Sequence, residues 1–333
     1  GQVFVDPSDA LYEEHESREA ALRARAAAVT GPGRLSDETP VNLLANAGSV
    51  SDAISAANAG AEGIGLFRTE LLFLSREEEP SLEEQTSLYH SVFTAMAGQK
   101  VVVRTLDAGS DKPVPFLNTV EEENPALGVR GWRLTRGGYE VMRRQLQALA
   151  TAAQDANCDL WVMAPMISTA EEAADFAANA REFGIRHVGV MIETPAAALM
   201  ADKVLAEVDF GSLGTNDLTQ YVMAADRLDA RLSNLTDSWH PAVLRAIQIA
   251  ASNATTLARP LGVCGEAAAD PHLAAVLVGL GVSSLSMAPV ALAEVRGFLA
   301  TIDRAACLGA ADIALSKSTA AQAKAAVKEF LGG

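Results

Sequence analysis

The sequence predicts an α/β chain folded as a (β/α)8 TIM barrel, with an N-terminal linker helix and extended βα loops. Two observations carry this. Eight short apolar runs recur along the 333 residues, most of them separated by a stretch of helical periodicity, and eight is the number of parallel strands that closes such a barrel. The boundaries between runs and helices carry βα punctuation. After "MIE", Thr194 is a good N-cap and Pro195 stands at the first helical position, where its missing N–H costs nothing.

Residues 1–33 precede the pattern. They read as a short extended piece, a Pro turn and an Ala/Glu/Arg-rich helix with a thin apolar face, closed by "GPG" at 31–33. This is the expected linker segment, and the barrel domain is expected over 34–333. The predicted strands are "VNLLANA" 41–47, "GIGLF" 63–67, "VVVRTLD" 101–107, "LWVMAPM" 160–166, "HVGVMIE" 187–193, "VDFGSLG" 208–214, "LGVCGE" 261–266 and "VSSLSM" 282–287. Two connections, 108–159 and 215–260, are too long for bare βα loops; each reads as a loop followed by a helix, and the loops, 108–133 and 215–241, are expected to be functional excursions on one face. The tail, 306–333, reads as one Ala/Lys helix.

Composition narrows the function. The formal charge is −16, from 26 Lys+Arg against 42 Asp+Glu, which argues against general nucleic-acid binding or attraction to an anionic membrane. No apolar stretch has the length of a membrane span. Three cysteines, Cys158, Cys264 and Cys307, form no CxxC pair and suit a reducing compartment. The expectation is a cytoplasmic chain without a signal peptide and, since it opens on Gly1 rather than Met, a piece of a longer one.

Catalytic residues of a barrel stand at the C-terminal ends of its strands. The residues there are Arg68 after the second run, Arg104 and Asp107 on the third, Glu193 after the fifth, Asn216 and Asp217 past the sixth, and Cys264 and Glu266 on the seventh. Arg227, on the loop after the sixth, is a third cation. Several guanidinium groups facing one cavity repel unless an anion joins them, and their planar forks suit phosphate or carboxylate oxygens. The bland reading pairs Arg68 with Glu70 and Arg104 with Asp107. It explains one arginine better than it explains three on one rim. Glu193 and Asp217 are hard oxygen donors suited to Mg2+, which takes one or two carboxylates and leaves positions for water and substrate. Cys264 lies between Gly262 and Gly265. A buried, inert thiol is the common case, and a thiol that handles a proton is the functional one. No Walker motif or GxSxG elbow occurs, and "GIGLFR" has Arg68 where the third glycine of a dinucleotide fingerprint would stand.

The segments "GIGLFRTELLF", "VVVRTLDAGSDKP", "ENPALGVRGWRL", "PMISTAEEA", "GVMIETPAAALMADKVLAEVDFGSLGTNDLTQYVMAADR", "HPAVLR" and "CGE", in this order, resemble the phosphoenolpyruvate-binding C-terminal domain of enzyme I of the bacterial phosphoenolpyruvate:sugar phosphotransferase system. The resemblance runs from about residue 3 to 330. It implies that Arg68, Arg104 and Arg227, with Asn216 and Asp217, hold phosphoenolpyruvate. It implies that Glu193 and Asp217 bind Mg2+ and that Cys264 is the proton donor to C3 of the enolate. It also implies a homodimer whose partners are an N-terminal histidine-bearing domain and, through it, a small phosphocarrier protein. No "SHxAI"-like sequence surrounds any of the five histidines, so the phosphoryl acceptor is expected elsewhere. Three alternatives stay open: a pyruvate phosphate dikinase or phosphoenolpyruvate synthase type of domain, a non-catalytic dimerisation or regulatory module, and a metal-dependent lyase or aldolase. The roles of Glu70, Lys112, Arg130 and Glu266 are left unassigned.

Overall fold

The computed structural model describes residues 5, 7–13, 15–17, 29–74, 76–109, 114–117 and 122–332, except for the side chains of 135–139. Of the expected linker helix, residues 9–13 and 15–17 are helical, while 18–28 lie outside the described residues, as does Lys112.

Eight parallel strands close in sequence order: β1 (Asn42–Ala47), β2 (Gly63–Arg68), β3 (Lys100–Arg104), β4 (Asp159–Ala164), β5 (His187–Ile192), β6 (Phe210–Leu213), β7 (Leu261–Val263) and β8 (Ser284–Met287), with β8 pairing back onto β1. This is the predicted (β/α)8 barrel. Helices between the strands bury their apolar faces against its outside in one continuous core that includes Phe67, Phe73, Tyr89, Phe93 and Phe176. Their starts are fixed locally. Ser81 with Glu84, and Thr169 with Glu172, form capping boxes, and Thr194 caps Pro195–Leu199 by accepting from Ala197 N at 3.2 Å.

A second, smaller cluster fills the barrel interior: Leu66, Val102, Met163, Met191, Phe210 and Cys264, with Trp161 against it. Space for the Phe210 ring comes from Gly189 on β5, where a Cβ would come within 2.4 Å of the ring. Strand registry decides which residues face this interior. Along β2, Ile64 pairs with Val101 but Phe67 pairs with Val103, so three residues of β2 span two of β3. This bulge has a large consequence, because side chains alternate between faces and a one-residue slip exchanges them. Ile64 and Phe67 both join the outer core, Leu66 faces in, and Arg68 pairs with Arg104 at the C-terminal rim.

Three expectations change. The tail is two helices, Arg304–Leu315 and Ala320–Leu331, because Ser316 to Thr319 form a turn with Thr319 as a new N-cap. The helix opening at Pro195 breaks at Met200 into Pro195–Leu199 and Ala201–Val204. The segment from 215, read as loop, begins with a helix, Thr215–Met223, that ends on Ala224 in the left-handed conformation at φ 48°. Among the described residues, no helix is long and apolar enough to cross a membrane.

Candidate functional site

The strand ends do gather the selected residues at one mouth, and their contacts differ from the simple pairing. Glu70 does not hold Arg68. Its Oε1 accepts from Arg104 Nη2 at 2.7 Å and from the Asp107 backbone N–H at 3.1 Å. Asp107 lies 3.3 Å from Arg104 Nη1, so Arg104 is held between two carboxylates, both nearly inaccessible to water. The bland pairing of Arg68 with Glu70 is therefore corrected, and the reason is registry. The bulge aims Arg68 at the rim, while Glu70 opens the helix Glu70–Phe73 behind it and faces β3. Thr69 ties the two ends together by donating from Oγ1 to Arg104 O at 3.0 Å.

Arg130 is one of the four side chains left without a role by the sequence. It is fully buried, with Nε and Nη2 on Asp107 Oδ1 and Oδ2 at 2.8 and 3.0 Å and Nη1 3.0 Å from Asp217 Oδ1. The long connection after β3 delivers it. Gly109 and Arg130 form an antiparallel bridge, and Gly131, at φ 62°, turns the chain back with its N–H on Ala108 O. Tyr221 accepts from Arg130 Nη1 at 3.4 Å and donates to Ala126 O, fastening this loop to the helix Thr215–Met223. A glycine directly after an arginine in "GVRGWR" was the available signal, although a turn glycine by itself does not say where its neighbour points.

Asp217 sits in the first turn of that helix and is buried. Its Oδ2 accepts from Arg227 Nη1 at 3.0 Å, while Oδ1 faces Arg130 without hydrogen-bond alignment. The left-handed Ala224 makes the first contact possible, because it reverses the chain so that Arg227 N reaches Gln220 Oε1 at 3.1 Å and its side chain folds back over Asp217. Asn216 accepts from Glu266 N at 3.2 Å, linking the ends of β6 and β7. Arg68 differs from the other arginines, having no acidic partner among the described residues, and its side chain stays exposed.

Glu193 is wholly buried at the end of β5. Oε1 accepts the Met166 N–H at 2.7 Å, from a residue in the strained left-handed region at φ 57°. Oε2 has no hydrogen-bond partner, and Gly214 leaves it room, since a Cβ there would come within 2.5 Å. Burial, then the carboxylates of Asp217 and Asp107, push the Glu193 carboxyl well above the ordinary range despite Arg104 and Arg130 nearby. A buried oxygen without a donor, next to a second carboxylate, fits a hard cation of the Mg2+ kind. Among the described residues no group of three acidic, histidine or cysteine side chains could hold a metal ion, so the fit is to a cation that uses two carboxylates and finds its other ligands in water and substrate.

Cys264 is buried in the cluster that fills the barrel interior, with Sγ 3.6 Å from Leu213 O and its own carbonyl accepting from Asn46 Nδ2 at 3.2 Å. Burial pushes the thiol up to about 11, and Glu193 adds to the shift. The Ser212 hydrogen bond and the two arginines oppose it. The group is thus a protonated thiol at neutral pH, fit to give a proton rather than to attack. Several residues of the mouth carry buried polar atoms without a hydrogen-bond partner: Glu70 Oε2, Arg104 Nε, Glu193 Oε2, Asp217 Oδ1 and Thr215 Oγ1. Gly265 admits the last of these, because a Cβ there would lie 1.9 Å from Thr215 Oγ1.

A (β/α)8 barrel whose mouth holds four arginines, interleaved carboxylates and a buried thiol has the charge pattern that suits a small, highly charged anion. The chain belongs to the family described as PEP-utilising enzyme, PEP-binding domain, whose model matches residues 23–304. It is 48% identical to the phosphoenolpyruvate-protein phosphotransferase of Streptomyces coelicolor over all of this chain and 60% of that protein. The proteins of the same name from Haloferax volcanii and Bacillus subtilis are 43% and 37% identical over 99% of this chain. The chain spans about 60% of the length of these relatives.

Proposed function

We propose that this barrel binds phosphoenolpyruvate with Mg2+ and supports transfer of its phosphoryl group to a histidine on a separate N-terminal domain, releasing pyruvate as the first step of a sugar phosphotransferase system. The observation that carries the reading is Arg68, a guanidinium without an acidic partner among the described residues, paired in register with the carboxylate-held Arg104 at the mouth. Full-length relatives that carry the phosphotransferase name support it. The reading includes a cytoplasmic homodimer, a small phosphocarrier downstream of the N-terminal domain, and a domain boundary near residue 34.

Each side chain has a physical task in this scheme. Arg68 and Arg227 meet the phosphate, with Arg104 and Asn216 orienting the substrate, because phosphoryl transfer needs positioning and charge stabilisation more than covalent help. Arg104 and Arg130 keep their forks fixed through Glu70 and Asp107, so little reorganisation is left for the moment of reaction. Glu193 and Asp217 would hold the metal, which when bound neutralises charge on the phosphoryl oxygens. Asp217 would exchange an arginine contact for it. As the phosphoryl group leaves, the pyruvate enolate must take a proton at C3. Cys264, buried in the barrel interior and protonated, supplies it and is left as a thiolate near Arg104 and Arg68.

The test mixes this chain with a separately produced N-terminal domain of a relative and phosphoenolpyruvate. Phosphorylation of that domain with stoichiometric pyruvate is expected, and it should require a divalent metal. Phosphoenolpyruvate binding without any transfer would favour a non-catalytic dimerisation or regulatory module instead.

A further inference from the structure

A second cavity opens beside the mouth, between the β1 turn, the end of β2 and the helix Leu82–Ala95. It has a volume of about 280 Å3 and is lined by Gly48, Ser49, Val50, Phe67, Arg68, Thr69, Leu71, Leu72, Arg76 and Leu88. That is close to the small end of the range for small-molecule sites. None of the proposed catalytic steps uses it.

Its chemistry is divided. Val50, Phe67, Leu71, Leu72 and Leu88 make apolar walls, and Leu71 is 63% exposed although it is a large hydrophobic residue. The polar part is cationic. Arg68 brings a fork with no acidic partner among the described residues, and Arg76 brings one shared with the half-exposed Glu84 at 2.9 Å. The nearest acid on the β1 side, Asp52, is turned onto the Gly48 N–H at 2.9 Å. One available fork and one already shared neutralise about a single negative charge. This matches a carboxylate better than a doubly charged phosphate, and the apolar walls match a branched aliphatic body.

We propose that this cavity is a binding site for a small monocarboxylate with a branched apolar body, and that its occupant engages Arg68 from the side opposite the mouth. Arg68 is the wall between the two sites, so the occupant competes for the guanidinium that the substrate needs and lowers substrate affinity without entering the mouth. The coupling to substrate rests on the function proposed above. Occupation of the cavity does not.

The test titrates the chain with 4-methylpentanoate in the absence of phosphoenolpyruvate, by calorimetry or ligand-observed NMR. Saturable binding is expected. Acetate, which lacks the body, and 4-methylpentan-1-ol, which lacks the charge, should each bind at least about tenfold more weakly. Leu71→Asp, on an exposed wall, should weaken 4-methylpentanoate by about tenfold or more through like-charge repulsion, and Leu88→Trp should abolish its binding by filling the space. Leu88→Trp should keep the wild-type phosphoenolpyruvate titration, and unchanged circular dichroism of both variants reports that they fold. Absence of saturable binding, or binding that Leu71→Asp leaves unchanged, overturns the proposal, the latter because the ligand then sits in the mouth. Carboxylate binding without phosphoenolpyruvate binding would leave this site standing and remove the substrate reading. The converse result would remove this site alone.

Discussion

Arg130 and Asp107 form a bidentate ion pair with both side chains wholly buried, Nε to Oδ1 at 2.8 Å and Nη2 to Oδ2 at 3.0 Å. Around this pair the mouth is assembled, since Asp107 also faces Arg104 and Arg130 also faces Asp217. Removing one member of a buried pair leaves an uncompensated charge, which costs about 3–5 kcal/mol. Arg130→Ala is therefore expected to lower the free energy of unfolding by that amount, read as a lower denaturant midpoint at an unchanged slope, and to weaken phosphoenolpyruvate binding because Asp217 loses a neighbour. Arg130→Lys should recover only part of either, since an ammonium cannot span both oxygens. Equal behaviour of the two variants would show that the fork geometry is unimportant.

Glu70 tests the corrected pairing. Its carboxylate belongs to Arg104 and the Asp107 N–H, both buried. Glu70→Ala should destabilise the chain by roughly 3 kcal/mol and displace Arg104, whereas a partner of Arg68 at the exposed rim would cost under about 1 kcal/mol. Chemical denaturation separates the two outcomes.

Cys264 should affect chemistry far more than binding. Its thiol is held near 11, so it is a proton source at neutral pH. Cys264→Ala is expected to keep phosphoenolpyruvate affinity within a few-fold while pyruvate formation in the mixed assay falls by about a hundredfold or more. A parallel loss of affinity would point to a packing role instead.

Lys100 offers a pH dependence away from the mouth. At the start of β3 its ammonium lies 3.4 Å over the Trp161 ring, and burial lowers it from 10.5 to about 8, with Asp159 opposing. Between these values the unfolded chain holds a proton that the folded one has released. Folding is therefore penalised below pH 8, and the penalty fades as pH rises to 10.5. Relative to Lys100→Met, the wild type should gain roughly 3 kcal/mol from neutral pH to the top of that window. Urea midpoints of the two proteins at both ends check the sign.

Gly189→Ala should cost about 1–3 kcal/mol, because a methyl group would press on the Phe210 ring inside the barrel. Adding Phe210→Ala should remove most of that increment, a coupling that a double-mutant cycle measures.

Much of this molecule was legible in its residues. The eight strands fell within a residue or two of the apolar runs at most of their starts, because a strand covered by helices on one side and packed inside on the other must be apolar almost throughout. Thr194 and Pro195 marked a helix start for reasons confined to one turn of chain. The strand ends also indicated Arg68, Arg104, Glu193, Asp217 and Cys264 as neighbours, since a barrel sends all those ends to one rim.

Partnership was not legible. "GLFRTE" suggests Arg68 with Glu70 by proximity in the chain, yet the bulge across Ile64 to Phe67 sends Arg68 to the rim and leaves Glu70 to Arg104, a strand away. Arg130 gave no local sign of being the most deeply buried cation at the mouth, because it arrives on a loop whose return is set by a bridge to Gly109 and a left-handed Gly131. The sequence by itself determined the barrel, the helix starts and which residues reach the rim, all properties of short-range pattern. Which carboxylate neutralises which arginine, and so which guanidinium at the mouth is left without an acidic partner among the described residues, was decided by registry and loop closure, where buried charges must find partners from distant parts of the chain.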